Sequence, residues 1–171
     1  EWIPRAVERH GPEKVVVCSL TKAAAIEIAS RVDGIPRQHI GTLHALAYRL
    51  LGKPTIAESL IDEWNDSAHP EYHMSTGSTD VDEMVQGRGA SEGDKLMQRA
   101  QVLRHRMLPR DGWAHDVLAF QEDWESWCAE RDCTDFTALI EEALRSTPSA
   151  PGNPGMLIMD EAQDASLLEL E

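Results

Sequence analysis

Short apolar runs and helical repeats alternate in the first third of the chain. Residues 15–17 are three consecutive valines, which is typical of a strand buried on both faces. Apolar residues then recur at helical spacing from Lys22 to Val32. A second brief extended stretch reaches Thr42, and the apolar positions of residues 43–51 restore the helical period. This part of the chain therefore predicts two strand–helix units.

The middle of the chain has a different pattern, which predicts one long loop and several helices. Residues 65–94 are rich in Asn, Asp, Ser, Thr and Gly and offer few large apolar groups, so we expect a mobile loop there. Helical repeats return in residues 96–107, 117–131 and 134–144. A connector rich in Pro and Gly, residues 148–155, then leads into the apolar run MLIM.

Strand signals at both ends of the chain, around a helical block, predict an α/β fold with a parallel sheet. We expect residues 1–53 to begin the α/β domain, residues 54–131 to form a mostly helical insertion, and residues 132–171 to return to the sheet. No apolar run approaches the roughly 18 residues that a membrane span needs, and no leader with a cleavage site is recognisable. We therefore predict a cytoplasmic protein without a membrane partner.

Charge is unevenly distributed along the chain, and this changes which binding partners the net charge excludes. The formal net charge is -14, whereas a nucleic acid is normally held by a basic surface. Residues 11–53, however, carry six Lys and Arg against three Asp and Glu, while residues 111–171 carry two against fifteen. The overall acidity therefore does not exclude contact between the first segment and a nucleic acid.

The MLIM run ends on two adjacent carboxylates, Asp160 and Glu161, and Asp164 follows closely. A parallel strand presents its carboxyl end to the crevice where ligands bind, so these acids are candidates for a site. In a nucleoside triphosphatase such an Asp holds Mg²⁺ and the neighbouring Glu accepts a proton from the attacking water. The alternative is a solvated acidic helix cap, which the helix dipole favours.

Two further strand-to-helix turns carry groups that are suited to phosphate. Ser19, Thr21 and Lys22 follow the first strand, and Thr42 and His44 follow the second. Backbone N–H groups at a helix start, hydroxyls and an ammonium together favour an anion. The alternatives are ordinary helix capping by Ser or Thr and a structural role for the histidine.

Two patterns in the helical block have two interpretations each. One predicted helix has a basic side that suits either duplex phosphates or a solvated face, formed by Lys95, Arg99, Arg104 and Arg106. Three tryptophans could stack on bases or pack in a core: Trp113, Trp124 and Trp127. Their helical spacing with Phe120 favours the core.

Taken together and in this order, the three strand-end stretches resemble the superfamily 1 DNA helicases of the UvrD, Rep and PcrA type and their phage-encoded relatives. TKAAA resembles motif Ia, GTLHALAYRLL resembles motif Ib, and LIMDEAQD resembles motif II, the Walker B element. DFTALIEEAL, which begins at Asp135, resembles the helix that precedes motif II. The resemblance covers residues 15–51 and 132–166, and it extends to residues 54–131 only by position and helical character.

The resemblance implies a RecA-like P-loop NTPase sheet, incomplete in this chain, with the helical block as a 1B-like subdomain. It implies an ATP-dependent helicase that moves 3′ to 5′ on single-stranded DNA, with ATP and Mg²⁺ as cofactors and single-stranded DNA and its junctions with duplex as partners. The cell compartment would be a bacterial cytoplasm, or the host cytoplasm for a phage protein. Protein partners are unknown. The motor of a helicase–nuclease, and a non-catalytic nucleic-acid-binding or interaction module, are the alternatives.

Carried over residue by residue, the resemblance implies a nucleotide site at the end of the MLIM run. Asp160 would bind the Mg²⁺ of MgATP, and Glu161 would be the catalytic base. Gln163 would contact the nucleotide and couple its state to DNA, and Asp164 would support the motif structurally.

The resemblance also implies a track for single-stranded DNA. Five residues would contribute to it: Ser19, Thr21, Lys22, Thr42 and His44. This chain departs from the family, which usually has Asn at the position of Thr21 and an aromatic residue at the positions of Leu43 and Ala162. The phosphate loop GxxxxGK[ST] and motifs III to VI are not present in the sequence. We therefore expect the chain to be the interior of a first motor domain and to be inactive in ATP hydrolysis by itself.

Overall fold

The computed structural model describes residues 2–76, 91–147, 150 and 153–171. In chain order, the described strands are β1 (Val15–Ser19), β2 (Ile40–Thr42), β3 (Thr55–Ile56), β4 (Cys133–Thr134) and β5 (Met156–Met159). The described α-helices are α1 (Trp2–His10), α2 (Lys22–Arg31), α3 (Leu43–Leu50), α4 (Ile61–Ser67), α5 (Glu92–His105), α6 (His115–Glu130), α7 (Phe136–Ser146) and α8 (Leu167–Leu170). The predicted α/β class is confirmed at this level, with mostly helical content and a small parallel sheet.

The described residues divide into two compact units, which we name the sheet unit and the helical unit. The sheet unit comprises described residues within 1–53 and 138–171, and the helical unit comprises those within 54–137. The assignment of the two units to a helicase motor domain and its insertion stays a prediction.

The sheet unit is organised around β1, which is the middle strand of the order β2-β1-β5. Both pairings are parallel, and all five residues of β1 are buried. A strand with neighbours on both sides and a core on both faces needs apolar side chains at every position, which the three valines supply. The predicted doubly buried strand is confirmed.

Alternate residues of β1 face two separate cores. Val15 and Val17 pack with Ala6 of α1 and with the apolar side of α2. Val16 and Cys18 pack instead with Leu46 of α3. The period of two along a strand thus places α1 and α2 on one face of the sheet and α3 on the other.

The helical unit has a core of aromatic side chains. Trp64 of α4 contacts the rings of Trp124 and Trp127 edge to face, at centroid distances of 5.0 and 5.6 Å. Trp124 and Trp127 of α6 stack at 5.3 Å, and Phe120 and Trp113 are buried with them. The core interpretation of the tryptophans is therefore confirmed, because rings buried in this way cannot stack on bases.

Three of the four residues predicted to form the basic side of helix α5 have acidic partners. Arg99 pairs with Asp116 at 2.7 Å, and Lys95 pairs with Glu92 at 3.0 Å. Arg104 is buried against Asp135. These ion pairs favour the interpretation of an ordinary helix face over that of a phosphate-binding surface.

The described ends of the stretch predicted as a mobile loop are held by polar side chains. Asn65 bonds the backbone N–H and the carbonyl of Met74, both at 2.8 Å. Ser91 and Asp94 form a capping box that starts α5. The polar composition that predicts a loop also provides these caps, so helix extends further into the stretch than its composition indicates. The remainder, residues 77–90, lies outside the described residues.

Among the described helices, none combines the length and the apolar character that a bilayer crossing requires.

Gly93, in the first turn of α5, provides a test of packing in the helical unit. A Cβ at this position would lie 2.3 Å from the carbonyl oxygen of Tyr72 and 2.5 Å from that of His73. We expect Gly93→Ala to lower the free energy of unfolding by about 2 kcal/mol, because backbone must move to admit the methyl group. Urea unfolding followed by tryptophan fluorescence measures this change.

Gly112→Ala is the matched control, since a Cβ at Gly112 meets no atom within 4 Å. It should change the same free energy by less than about 0.5 kcal/mol. Equal effects of the two substitutions would contradict the packing at Gly93.

Candidate functional site

The three segments that the sequence singles out as candidate site residues meet at one edge of the sheet. The pairing aligns Ser19 with Thr42 on one side of β1 and Cys18 with Met159 on the other. The N–H of Asp160 donates to the carbonyl of Cys18 at 2.8 Å, which continues the pairing by one residue. We call this place, formed by residues 19–22, 42–44 and 160–164, the carboxyl edge. Because neighbouring strands are about 4.8 Å apart, the two outer segments flank β1 within about 10 Å of each other.

The turn after β1 is built by two hydroxyls. Thr21 is the N-cap of α2, and its Oγ1 accepts from the N–H of Ala24 at 3.2 Å. The Ser19 hydroxyl accepts from the N–H of Thr21 at 3.4 Å, and Ser19 is only 1% exposed. Ser19 therefore stabilises the turn, and its burial leaves no surface for the DNA contact expected of it. Lys22, the first residue of α2, is exposed.

The turn after β2 repeats the arrangement. Thr42 is the N-cap of α3, and its Oγ1 accepts from the N–H of Ala45 at 3.1 Å. His44, the second residue of α3, is half-buried. The capping interpretation is thus realised at both Thr21 and Thr42. A capping hydroxyl uses its oxygen as an acceptor, and its own proton stays available as a donor to an anion.

Two helices begin at the carboxyl edge, and they give its β1 and β2 side groups that favour anions. The first backbone N–H groups of α2 and α3 have no partner one turn earlier in their own helix. Together with the ammonium of Lys22, the amino ends of the two helices favour negative groups such as phosphate. The carboxyl edge therefore combines anion-binding groups on β1 and β2 with carboxylates after β5.

Arg49 is a residue near this site that the sequence pattern did not indicate. Its guanidinium donates to the carbonyl of Gln38 at 3.0 Å and crosses β2 at Gly41. A Cβ at Gly41 would lie 3.2 Å from Arg49 Nη2, so a larger residue would press on the guanidinium. Gly41 thus admits the side chain that links α3 to the start of β2. An arginine eight residues after a strand glycine is too common a pattern to identify this contact from sequence.

The acidic segment after β5 forms a tight turn. Asp160 and Glu161 are exposed, and Glu161 has φ 55° and ψ 36°, in the left-handed region that non-glycine residues seldom adopt. The amide of Gln163 donates to a carboxylate oxygen of Glu161. The N–H of Asp164 donates to the Glu161 carbonyl at 2.9 Å. Side-chain and backbone bonds therefore both fix the turn around Glu161.

The alternative interpretation of these acids as a helix cap is not realised. A short 3₁₀ turn, Ala162–Asp164, follows Glu161, which makes no side-chain cap bond to it. The next helix, α8, is capped by Ser166 in a capping box with Glu169. Asp160 and Glu161 thus have their carboxylates at the sheet edge without a capping function.

The donor set at the carboxyl edge fits Mg²⁺ bound together with phosphate. Mg²⁺ is usually held by one or two carboxylates plus phosphate oxygens and water, and the adjacent Asp160 and Glu161 offer oxygen ligands of this kind. Among the described residues there is no group of three or more His, Cys, Asp or Glu side chains arranged to hold a metal by themselves. A metal at this edge would therefore need further ligands, such as water or phosphate oxygens.

Comparisons with known proteins do not assign the chain to a family. No protein-family model matches the chain, and no curated protein matches it.

The cap at Thr42 generates a prediction about the stability of the edge. We expect Thr42→Ala to cost about 1 kcal/mol of unfolding free energy and to speed hydrogen exchange at the Ala45 amide, since that N–H loses its acceptor. Thr42→Ser keeps the hydroxyl and should leave the exchange rate within about twofold. Native-state hydrogen exchange by NMR compares the variants. If alanine and serine behaved alike, Thr42 would not be the cap.

Proposed function

We propose that this chain is part of an ATP-dependent DNA helicase that moves along single-stranded DNA. The observation that supports the proposal is the meeting of three distant segments at one sheet edge. Segments that resemble motifs Ia, Ib and II follow β1, β2 and β5, which pair in parallel as β2-β1-β5. Motifs that act on one nucleotide and one DNA strand need such proximity, although they are up to about 140 residues apart in the chain.

We further propose that the sheet unit is RecA-like and that the helical unit is a 1B-like insertion. In support, the helical unit leaves the sheet unit after α3 and the chain returns to the sheet at β5. Parallel strands with helices on both faces are the arrangement in which nucleotides bind at strand carboxyl ends.

In this proposal the acidic turn prepares water for attack on ATP. Asp160 would hold Mg²⁺, and the bound ion would neutralise charge on the transferred phosphoryl group. Glu161 accepts a proton from the attacking water. Gln163 donates to the Glu161 carboxylate, so it orients the base and is suited to couple its position to the DNA side of the edge. Asp164 supports the turn through its backbone bond to Glu161.

The β1 and β2 side of the carboxyl edge would carry single-stranded DNA. Lys22 would contact backbone phosphate with its ammonium, while Thr21 and Thr42 would donate from their capping hydroxyls. His44 lies in the first turn of α3, two residues after Thr42. Contacts of this kind hold the strand regardless of its sequence, which a translocating enzyme requires.

A second candidate is a non-catalytic module that binds nucleic acid and keeps a degenerate helicase fold. The observation that favours it is the lack of GxxxxGK[ST] in the sequence. In the leading proposal, the phosphate loop belongs to another part of the full-length protein, and this chain by itself does not hydrolyse ATP. A GxxxxGK[ST] segment encoded upstream would support the proposal of a helicase motor. Such a motor is equally compatible with a helicase–nuclease.

Glu161→Gln in the full-length protein tests the catalytic proposal. We expect ATP hydrolysis to fall by about 10² to 10⁴, because glutamine cannot accept the proton, while nucleotide binding changes little. A steady-state ATPase assay and nucleotide titration measure the two quantities. Glu171→Gln, at an exposed residue outside the edge, is the control and should retain activity. Unchanged turnover in Glu161→Gln would refute the assigned role.

Lys22→Ala tests the DNA track in the chain as it stands. Affinity for single-stranded DNA of any sequence should fall, and the slope of log K against log salt should decrease by about 0.7, the value for one phosphate contact. Fluorescence anisotropy over a salt series measures both. Lys53→Ala removes an exposed ammonium beyond the far end of α3 and should leave the slope unchanged. Identical slopes for the two variants would remove Lys22 from the track.

A further inference from the structure

We use the word neck for residues 54–58 and 133–137, where the chain enters and leaves the helical unit. A cluster of charged and polar groups lies there that the proposed ATP and DNA chemistry does not use. Strands β3 and β4 pair in parallel where the chain enters and leaves this unit. Glu58 lies two residues after β3, and Asp135 follows β4 directly. The N–H of Phe136, at the start of α7, donates to Glu58 Oε1 at 3.0 Å. Glu58 thus ties the two chain ends of the unit together across 78 residues.

Asp135 has strong hydrogen-bond partners in this cluster. Its Oδ2 accepts from Arg104 Nη1 at 2.8 Å and from Trp124 Nε1 at 2.9 Å. The side chains of Arg104 and Asp135 are only 4% and 3% exposed. One buried guanidinium and one buried carboxylate form a neutral pair, which is the condition under which burial of charge is tolerated.

Glu58 adds a second carboxyl group to this neutral pair. Its Oε2 atom is buried and accepts no hydrogen bond from the described residues. With Glu58 ionised, the cluster would hold two carboxylates and one guanidinium and would carry a net negative charge. With a proton on Glu58, the cluster of Glu58, Arg104 and Asp135 is neutral. Electroneutrality in a buried place therefore favours the protonated form.

The pKa of Glu58 reflects this balance. The pKa of Glu58 is raised to about 7; burial is the largest cause, and the negative charge of Asp135 acts in the same direction. The hydrogen bond from Phe136 and the charge of Arg104 act in the opposite direction. Glu58 thus changes charge near neutral pH, where an exposed glutamate is fully ionised.

Two thiols also interact with Glu58. Cys128 of α6 and Cys133 of β4 both interact electrostatically with Glu58. Burial raises the pKa of both thiols, so they stay uncharged in the range where Glu58 titrates. From α5 the charged group is Arg104, and from the start of α7 it is Asp135.

We propose that Glu58 forms a pH-sensitive contact at the neck of the helical unit. The contact is closed when the carboxyl group is protonated and loosens when it ionises. Loosening means faster opening of the bond to Phe136 and of the neighbouring β3–β4 pair. The inference is independent of the proposed ATP and DNA functions, since it concerns groups outside the carboxyl edge.

The sign of the pH effect follows from the two protonation states. The folded chain holds the Glu58 proton up to about pH 7, whereas the unfolded chain releases it near the ordinary value of 4.5. The folded state thus binds more protons between these values, and the contribution to stability is fully present below about pH 4.5. It falls as the pH rises toward 7 and is lost above that value.

Glu58→Gln in the full chain tests this pH-sensitive contact, because glutamine is uncharged and keeps a carbonyl acceptor for Phe136. Four of the five tryptophans, Trp64, Trp113, Trp124 and Trp127, lie in the helical unit, so urea unfolding by fluorescence follows this unit. Between pH 5 and 8 we expect the unfolding equilibrium constant of the wild type to rise about tenfold to a hundredfold more than that of Glu58→Gln. Hydrogen exchange at the Phe136 amide should show the same difference.

Glu63→Gln is the matched control, since Glu63 is a mainly exposed carboxylate on α4 with only a 3.9 Å contact to Arg131. It should keep the pH dependence of the wild type. Loss of the pH dependence in Glu63→Gln, or its retention in Glu58→Gln, would overturn the proposal.

A measurement on the wild type keeps the test decisive even if Glu58→Gln does not fold. With glutamate labelled with ¹³C at the carboxyl carbon, NMR titration should show one resonance with a midpoint near pH 7. This readout is separate from His105, which lies 3.3 Å from Thr137 at the same end of α5, because imidazole carries no carboxyl carbon. A titration in which every glutamate carboxyl has its midpoint below pH 6 would overturn the proposal.

Discussion

Burial of β1 is the constraint on which the sheet unit depends. All five residues of this strand are buried, so their peptide groups have no water to bond and must pair with strands on both sides. The partners are β2, about 20 residues later, and β5, about 140 residues later, and both run parallel to it. Parallel pairing brings the three carboxyl ends to one edge. The requirement to satisfy the backbone of a valine strand thus assembles the candidate site.

A comparable constraint acts at the neck of the helical unit, where the buried groups that need partners are charged side chains. The aromatic core around Trp64 excludes water, and Arg104 and Asp135 are buried beside it. The two groups pair with each other, and Asp135 also accepts a hydrogen bond from the indole N–H of Trp124. Among the described residues, Glu58 has no such partner for its second oxygen, and its burial is therefore compatible with ionisation only at higher pH.

Prediction from the sequence succeeded where one residue type dominated a short stretch. The valines of β1, the helical repeats of α5 and α6, and the tryptophan core follow from local pattern. It was less complete where a polar residue has a distant partner. Asn65 and Asp94 contribute to a polar stretch that indicates a loop, yet they bond Met74 and the start of α5. Ser19 has the composition of a phosphate contact, but burial directs its hydroxyl to Thr21.

The sequence by itself determined the strand and helix periods, the placement of carboxylates and hydroxyls at strand ends, and the resemblance that motivates the helicase proposal. Only the tertiary structure decided that these ends share one edge, that the acids after β5 do not cap a helix, and that Glu58 meets Phe136. The reason is physical. Periodicity is a property of neighbouring residues, whereas pairing, desolvation and electroneutrality depend on groups that become neighbours only when the chain folds.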